Sequence, residues 1–377
     1  METALDALTL ESTETLSLIG LPDDALQQVI DAVGNQGPYS LGVPPFEAVK
    51  GLVCSKGLLQ QLHRLQPLVV AEPSRPWLPS SSLAALRAVM QGPFHGPWRV
   101  VLGRGKLTAE VLELARQGRV HSIEAMGTAL ARLPGAVAGR VVPDLLGAGC
   151  SLRKLDLSGA IPSLNGTWAS IFGEEAVCSA VLRTLSLVSC GLQGPLPELR
   201  LQALQKLDLS DNKQLTGSLE PLRGCTALKD LSLGDNQHTG SLEPLRGCTA
   251  LLTIFMPRNQ LTGGLEPLRG CTLLTYLALA DNKLTGSLEP LRCCTALRDV
   301  HMGDNGLTGS LEPLKGCKAL YNLRLANNRL TGGLEALKGC SLLEMLYLDR
   351  NQLSPSREDR SHFKTQCQEL SLRGEFW

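Results

Sequence analysis

Aromatic side chains are scarce in this chain of 377 residues: Phe, Trp and Tyr together make up 4 % of it. Rings normally dominate a single globular core, so an interior built here must be filled by something smaller. An excess charge is lacking too. The 36 basic and 36 acidic side chains cancel, which removes the electrostatic case for a nucleic acid or an anionic membrane surface as partner. No stretch approaches the run of about 18 uncharged apolar residues that a spanning helix needs. The first residues, METALDALTLESTETLSLIG, are acidic and lack the basic start and apolar centre of a secretory signal. The expectation is a soluble, monomeric, intracellular chain, cytoplasmic or nuclear. Its 12 cysteines would then be free thiols, and the sequon Asn165-Gly166-Thr167 incidental.

Catalytic templates are missing as well. There is no H-E-x-x-H, no G-x-S-x-G, no calcium loop and no C-x-x-C. Gly103-Arg104-Gly105-Lys106 lacks the leading glycine and adjoining Ser/Thr of a phosphate loop. No catalytic residue, metal or cofactor is expected, and the chain is read as a binding protein rather than an enzyme.

What the chain does have is repetition. LTGSLEPLRGCTALKDLSLGDNQ, from Leu215 to Gln237, returns at once as HTGSLEPLRGCTALLTIFMPRNQ. Asn212, Asn236, Asn259, Asn282, Asn305, Asn328 and Asn351 mark the period, a step of 24 followed by five of 23. Around each lies L-x-x-L-x-L-x-x-N-x-L, as in Leu274, Leu277, Leu279, Asn282 and Leu284. Self-similarity at this period marks a solenoid. The L-x-L core reads as a short strand with both leucines on one face. Successive strands would stack in parallel about 4.8 Å apart. The Asn amide would satisfy turn backbone groups that are otherwise buried unpaired. The frame continues upstream through Leu204, Leu182 (with Cys190 in the Asn place) and Leu152 (with Ala160). Weaker strands are expected near Arg99–Gly103 and Ser122–Met126. Prolines 221, 244, 267, 290 and 313 disfavour a long helix in the return segment, leaving turns or brief 3₁₀ pieces there.

These motifs resemble the leucine-rich-repeat family, strongly over 204–353, and L-T-G-x-L resembles its plant-type class with a register one residue shorter. The resemblance implies an α/β solenoid: a right-handed curved stack with a parallel sheet on its concave face. The expected layout is a disordered tail at 1–17, a small N-terminal helical unit at 18–70, and a solenoid at 71–353. Within the solenoid, repeats are irregular over 98–203, with an insertion at 161–181, and regular from 204. Residues 354–377 would cap it, with Phe363, Leu370, Leu372 and Trp377 shielding Leu348 and Leu353.

Two ladders look like chemistry and read better as architecture. Cys225, Cys248, Cys271, Cys294, Cys317 and Cys340 each lie three residues before a frame leucine, where a thiol serves as a small buried hydrophobe. Glu220, Glu243, Glu266, Glu289, Glu312 and Glu335 each stand three residues before an Arg or Lys. A pair repeated six times neutralises a solvated face and has no one special location for catalysis. His238 occupies a leucine place and reads as a tolerated inward histidine.

Variation concentrates at outward strand positions. The residue inside L-x-L runs Asp156, Ser186, Asp208, Ser232, Phe255, Ala278, His301, Arg324, Tyr347. The position before adds Tyr276, Asp299, Asn322 and Met345, and the turn after adds Arg258 and Arg350. Aromatic and Arg side chains on a polar sheet face are the usual anchors of an interface. Phe255, Arg258, Tyr276, His301, Arg324 and Tyr347 are therefore the candidate patch for a protein partner.

The N-terminal block does not repeat. Leu21-Pro22-Asp23-Asp24 opens a helix-like stretch, with Pro and acids suited to a first turn, and Ala25, Leu26, Val29, Ile30 and Val33 form one apolar stripe. Val53-Cys54-Ser55-Lys56 follows later. The wording resembles an F-box, although the loop 34–45 is longer than usual and Gly57 stands where an aromatic is common. That resemblance implies that Leu21, Pro22, Leu26, Val29, Ile30, Val53 and Cys54 dock on a Skp-type adaptor tied to a cullin–RING ubiquitin ligase. The solenoid would then hold the substrate. The competing readings are a helical cap on the solenoid, and a repeat scaffold or immune or signalling sensor without a ligase link.

Overall fold

Leucines two residues apart on an extended chain share one side of it, and the residue between them takes the other. The computed structural model shows what this pattern builds. It describes residues 152–159, 166–168 and 177–371, together with strands Leu68–Ala71, Trp98–Leu102 and Val120–Ala125. The expected tail at 1–17, the F-box-like unit up to residue 67 and most of the 161–181 insertion lie outside the described residues. The chain divides into two compact units, Met1–Val101 and Leu102–Trp377. The second carries the repeats.

Its first sheet is parallel throughout. The strands are Val120–Ala125, Lys154–Asp156, Thr184–Ser186, Lys206–Asp208, Asp230–Ser232 and Thr253–Phe255, then Tyr276–Ala278, Asp299–His301, Asn322–Arg324, Met345–Tyr347 and Glu369–Ser371. Register aligns one apolar column, with Leu155, Leu185, Leu207, Leu231, Ile254, Leu277, Val300, Leu323 and Leu346 side by side. Each of these is 0 % exposed. A slip of one residue would turn the whole column to water, so this burial holds the register.

After each strand the chain must turn inward. The residue before the asparagine, or before Cys190 in the irregular repeat, adopts a left-handed backbone, φ 51–57°, at Ser189, Asp211, Asp235, Arg258, Asp281, Asp304, Asn327 and Arg350. Asp and Asn accept this conformation most readily among residues with a Cβ, and five of the eight are of those types. The asparagine then closes the turn. Asn282 accepts from the Leu261 N–H at 3.0 Å and donates to the carbonyls of Met256, Leu279 and Ala280 at 3.0–3.2 Å. In the irregular repeat Cys190 substitutes for it, its thiol donating to the Leu157 carbonyl at 3.3 Å.

The return segment differs from expectation in one respect. Its E-P-L stretches are short 3₁₀ turns, as at Glu243–Leu245 and Glu312–Gly316. The L-T-G stretches before them, however, are strands. Gln214–Gly217, Gln237–Gly240, Gln260–Gly263, Lys283–Ser287, Gly306–Gly309, Arg329–Gly332 and Gln352–Leu353 join Leu192–Pro195 and Gly166–Thr167 in a second parallel sheet of nine. The glycine at the end of each of these strands, penultimate in Lys283–Ser287, has φ of 78–85° from Gly217 to Gly332, a region that strains most other residues. It breaks the alternation too early for the pattern to read as a strand.

The cysteines of the ladder are buried and unpaired. The thiols of Cys248, Cys271 and Cys317 donate to carbonyls one repeat earlier at 3.5–3.6 Å. Burial pushes the Cys294 thiol up to about 12, and Cys248 and Cys317 up to about 11, so these sulfurs are held as inert thiols. On the turns, Glu220–Arg223, Glu243–Arg246, Glu289–Arg292 and their successors pair within their own repeat on an exposed surface. At the C-terminal end a helix, Arg357–Gln366, carries a reciprocal cap between Ser356 and Asp359 and buries Phe363. Burial alone would raise the Asp359 carboxyl. Hydrogen bonds from Lys338, whose Nζ lies 3.0 Å away, and from Ser356 outweigh it and hold the group at about 2.

Candidate functional site

The outward face of the first sheet changes character along its length. At its N-terminal end it is ringless, with lysines and aspartates at Lys154, Asp156, Lys206 and Asp208 and with the Ser158 and Ser186 hydroxyls 2.7 Å apart. From Phe255 onward it carries rings and cations, one from each neighbouring strand.

Four of the six candidate residues belong to one linked cluster. Tyr276 and His301 meet edge to face with ring centroids 5.7 Å apart. The Asn322 amide donates to His301 Nε2 at 2.9 Å and accepts from Arg324 Nε at 3.1 Å. This arrangement sets the histidine as a neutral ring that carries its proton on Nδ1. The Arg324 guanidinium lies 4.9 Å over the Tyr347 ring, a cation–π contact, and one of its Nη groups approaches Met345 Sδ at 3.7 Å. The Tyr347 hydroxyl donates to the Glu369 carboxylate.

Outward strand positions beside the cluster are closed to water. Ala278 is 2 % exposed and Asn322 7 %. Burial, with Arg324 behind it, lowers the pKa of His301, while Asp299 opposes the shift. Burial and then Asp299 raise that of Tyr276. For Tyr347 the hydrogen bond to Glu369 raises it.

The other two candidates stand apart. Phe255 is half-buried and lies across Gly234, where an added Cβ would come within 2.6 Å of the ring and 3.0 Å of Pro257. The glycine is therefore what lets the phenyl ring lie down. Arg258 sits in the left-handed turn position, and its guanidinium is taken up by both oxygens of Asp235, at 2.5 and 2.7 Å. It is a rim residue already neutralised, and among the described residues no hydrogen bond or ring contact joins it to the cluster. The adaptor-docking candidates Leu21, Pro22, Leu26, Val29, Ile30, Val53 and Cys54 lie outside the described residues.

Two members of the cluster are not marked as site residues by the sequence pattern. Asn322 is the hinge of the cluster, and its signal is its place directly across from Asp299 in register. Glu369 belongs to an extra strand beyond the last asparagine. The alternation Leu370-Ser371-Leu372 marks that strand, although no asparagine follows. Among the described residues, no group of three or more His, Cys, Asp or Glu side chains could hold a metal ion, and no helix is long and apolar enough to cross a membrane.

Comparison with known proteins agrees with this architecture. The family described as Leucine Rich repeats (2 copies) matches residues 202–247. No curated protein matches the chain. Among solved structures the chain is similar to a TDR receptor, at 22 % identity and a TM-score of 0.56 over 81 % of this chain and 51 % of that one. It is similar to the ectodomain of the Arabidopsis receptor kinase HAESA in complex with an N-terminally extended IDA peptide hormone, at 22 % and 0.54 over 84 % and 55 %. A third is the ectodomain of the plant membrane receptor kinase GASSHO1/SCHENGEN3 from Arabidopsis thaliana, in complex with CASPARIAN STRIP INTEGRITY FACTOR 2, at 24 % and 0.53 over 78 % and 40 %. The chain thus spans between two-fifths and just over half the length of these receptors. At this level of identity the likeness is one of fold. The second unit is a leucine-rich-repeat solenoid.

Proposed function

We propose that the chain is a non-catalytic interaction module that takes a protein partner on the outward face of its first sheet. Phe255, Tyr276, His301, Arg324 and Tyr347 would make the contact, with Arg258 at the rim. The observation that carries this reading is the His301–Asn322–Arg324–Tyr347 linkage. It fixes a cation and two rings in place on an otherwise polar surface, so little side-chain freedom remains to be lost on binding. Aromatic and Arg anchors of this kind supply most of the energy of protein interfaces. Phe255→Ala combined with Tyr347→Ala should weaken partner retention by about 100-fold, at roughly 1–2 kcal/mol for each anchor, with an unchanged circular dichroism spectrum. Undiminished retention by the folded variant would move the site elsewhere.

For the N-terminal block we propose the F-box role: docking on a Skp-type adaptor so that the solenoid presents its partner to a cullin–RING ligase. Support comes from Leu21-Pro22-Asp23-Asp24 and Val53-Cys54-Ser55-Lys56 alone. Co-purification of adaptor and cullin with the full chain, lost on Leu26→Asp with Ile30→Asp, is the expected result. Retention of the sheet-face partner without adaptor or cullin would leave a repeat scaffold or signalling sensor in its place.

A further inference from the structure

Beside the ring cluster on the sheet face stand two charges without an ionic partner, Asp299 and Arg324. Among the described residues no acidic group lies within 4.0 Å of Arg324, and no basic group within 4.0 Å of Asp299. The exposed turns are different, since their Glu–Arg and Glu–Lys pairs close within each repeat. Lys206 and Asp230, further along the sheet face, are direct neighbours in register and likewise form no ion pair within 4.0 Å. Asp299 and Arg324 are diagonal instead: Asp299 aligns with Asn322, and His301 aligns with Arg324. One strand spacing combined with two residues of rise puts their backbones about 8 Å apart, and the Arg324 side chain is turned instead toward Asn322 and the Tyr347 ring. The groups between them, His301 and Asn322, are spent on one another.

We propose that Asp299 and Arg324 read two opposite charges on an extended partner segment, a base facing Asp299 and an acid facing Arg324, two residues apart. This inference rests on the sheet-face reading above and names the chemistry of its partner. Only alternate side chains of an extended segment share a face, and residues i and i+2 lie about 7 Å apart. The flexible stem of a Lys or Arg covers the remaining difference. Residues i and i+1 point to opposite sides, as do i and i+3, and i and i+4 are about 13 Å apart. Arg324 suits the acid because Asn322 and Tyr347 hold it in place before binding, and a planar guanidinium takes a carboxylate in two parallel hydrogen bonds. His301, uncharged as a hydrogen-bond acceptor, leaves the Asp299 carboxylate free for the base. Beside them the next outward row carries only Ala280, Gly303 and Ala326, so a partner backbone can come close.

The test uses fluorescein-labelled peptides of one composition on a valine–threonine background. Each carries one Glu and one Lys, placed at i and i+2, i and i+1, or i and i+3, with a Gln–Gln peptide as control. Anisotropy against the full chain should show the i/i+2 isomer binding about tenfold more tightly than the others, a difference of about 1.4 kcal/mol. Arg324→Gln and Asp299→Asn should each erase that preference while leaving the circular dichroism spectrum unchanged. Equal binding of all isomers, a preference that survives Arg324→Gln, or failure of every peptide to bind would overturn the charge-pair inference. Partner retention lost on Phe255→Ala with Tyr347→Ala would still stand after such a result, so the two readings fail separately.

Discussion

Asn212→Ala is expected to lower folding stability by about 3–5 kcal/mol, read as a fall in the urea midpoint of the full chain. Asn212 is 0 % exposed. Its Oδ1 accepts from two backbone N–H groups, those of Cys190 and Leu192, both at 3.0 Å. Its Nδ2 donates to the carbonyls of Leu187, Leu209 and Ser210 at 2.8–3.3 Å. Alanine strands both donors in a dry interior, and each stranded group costs about 1–3 kcal/mol. The position matters as much as the bond count. Asn212 stands where the irregular repeats meet the regular ones, and a solenoid is held together only by nearest-neighbour contacts. Hydrogen exchange at the Cys190 and Leu192 amides should accelerate first. Asn351→Ala, in the half-buried last turn and with one N–H acceptor contact to Leu330, should cost visibly less. A loss under about 1 kcal/mol for Asn212→Ala would mean that the asparagine column does not hold the stack together.

The ease of reading this chain follows the length of its local patterns. The L-x-x-L-x-L-x-x-N-x-L frame spans eleven positions and repeats, so strand, register and inward face could all be derived from it. Prolines foretold the 3₁₀ turns because they remove a donor in five of the six copies, and the sixth, Glu335-Ala336-Leu337, forms the same turn without one. The second sheet escaped because Leu215-Thr216-Gly217 offers one inward residue and then a glycine with φ of 85°. Two-residue alternation cannot be recognised in so short a run. At the candidate site, alternation identified which side chains point outward. It could not show which of them touch. The Asn322 bridge and the contact of Tyr347 with Glu369 depend on pairing across strands that are 20-odd residues apart, and Glu369 lies past the last asparagine. Arg258 shows the reverse: its type and place suggested an anchor, while its partner Asp235, one repeat earlier, already holds it.

The second large effect concerns an imidazole inside the leucine interior. His238 takes the place held by Leu215, Leu261, Leu284, Leu307 and Leu330 in the second sheet, and it is 0 % exposed. Its backbone N–H is satisfied by Asn259 Oδ1 at 2.9 Å, as any residue there would be. Its Nδ1 faces the Gly217 carbonyl at 3.3 Å, and its Nε2 has no hydrogen-bond partner. Burial therefore drives the folded-state pKa down from 6.5 to about 4, against a small opposing contribution from the Gly217 contact. Between those values the unfolded chain binds a proton that the folded chain refuses. The stability contributed by neutral His238 is complete above about pH 6.5 and is lost as pH falls toward 4. A shift of this size corresponds to about 3 kcal/mol. His238→Leu restores the apolar column and removes the titrating group. The variant should be the more stable form at pH 7 and should exceed the parent by about 3 kcal/mol more at pH 4 than at pH 7. Subtracting the two urea-unfolding curves at each pH cancels the carboxylates common to both proteins and isolates this one group. A difference that stays flat from pH 7 to pH 4 would show that the imidazole reaches water or a partner when protonated, and that the column is looser there than its leucines indicate.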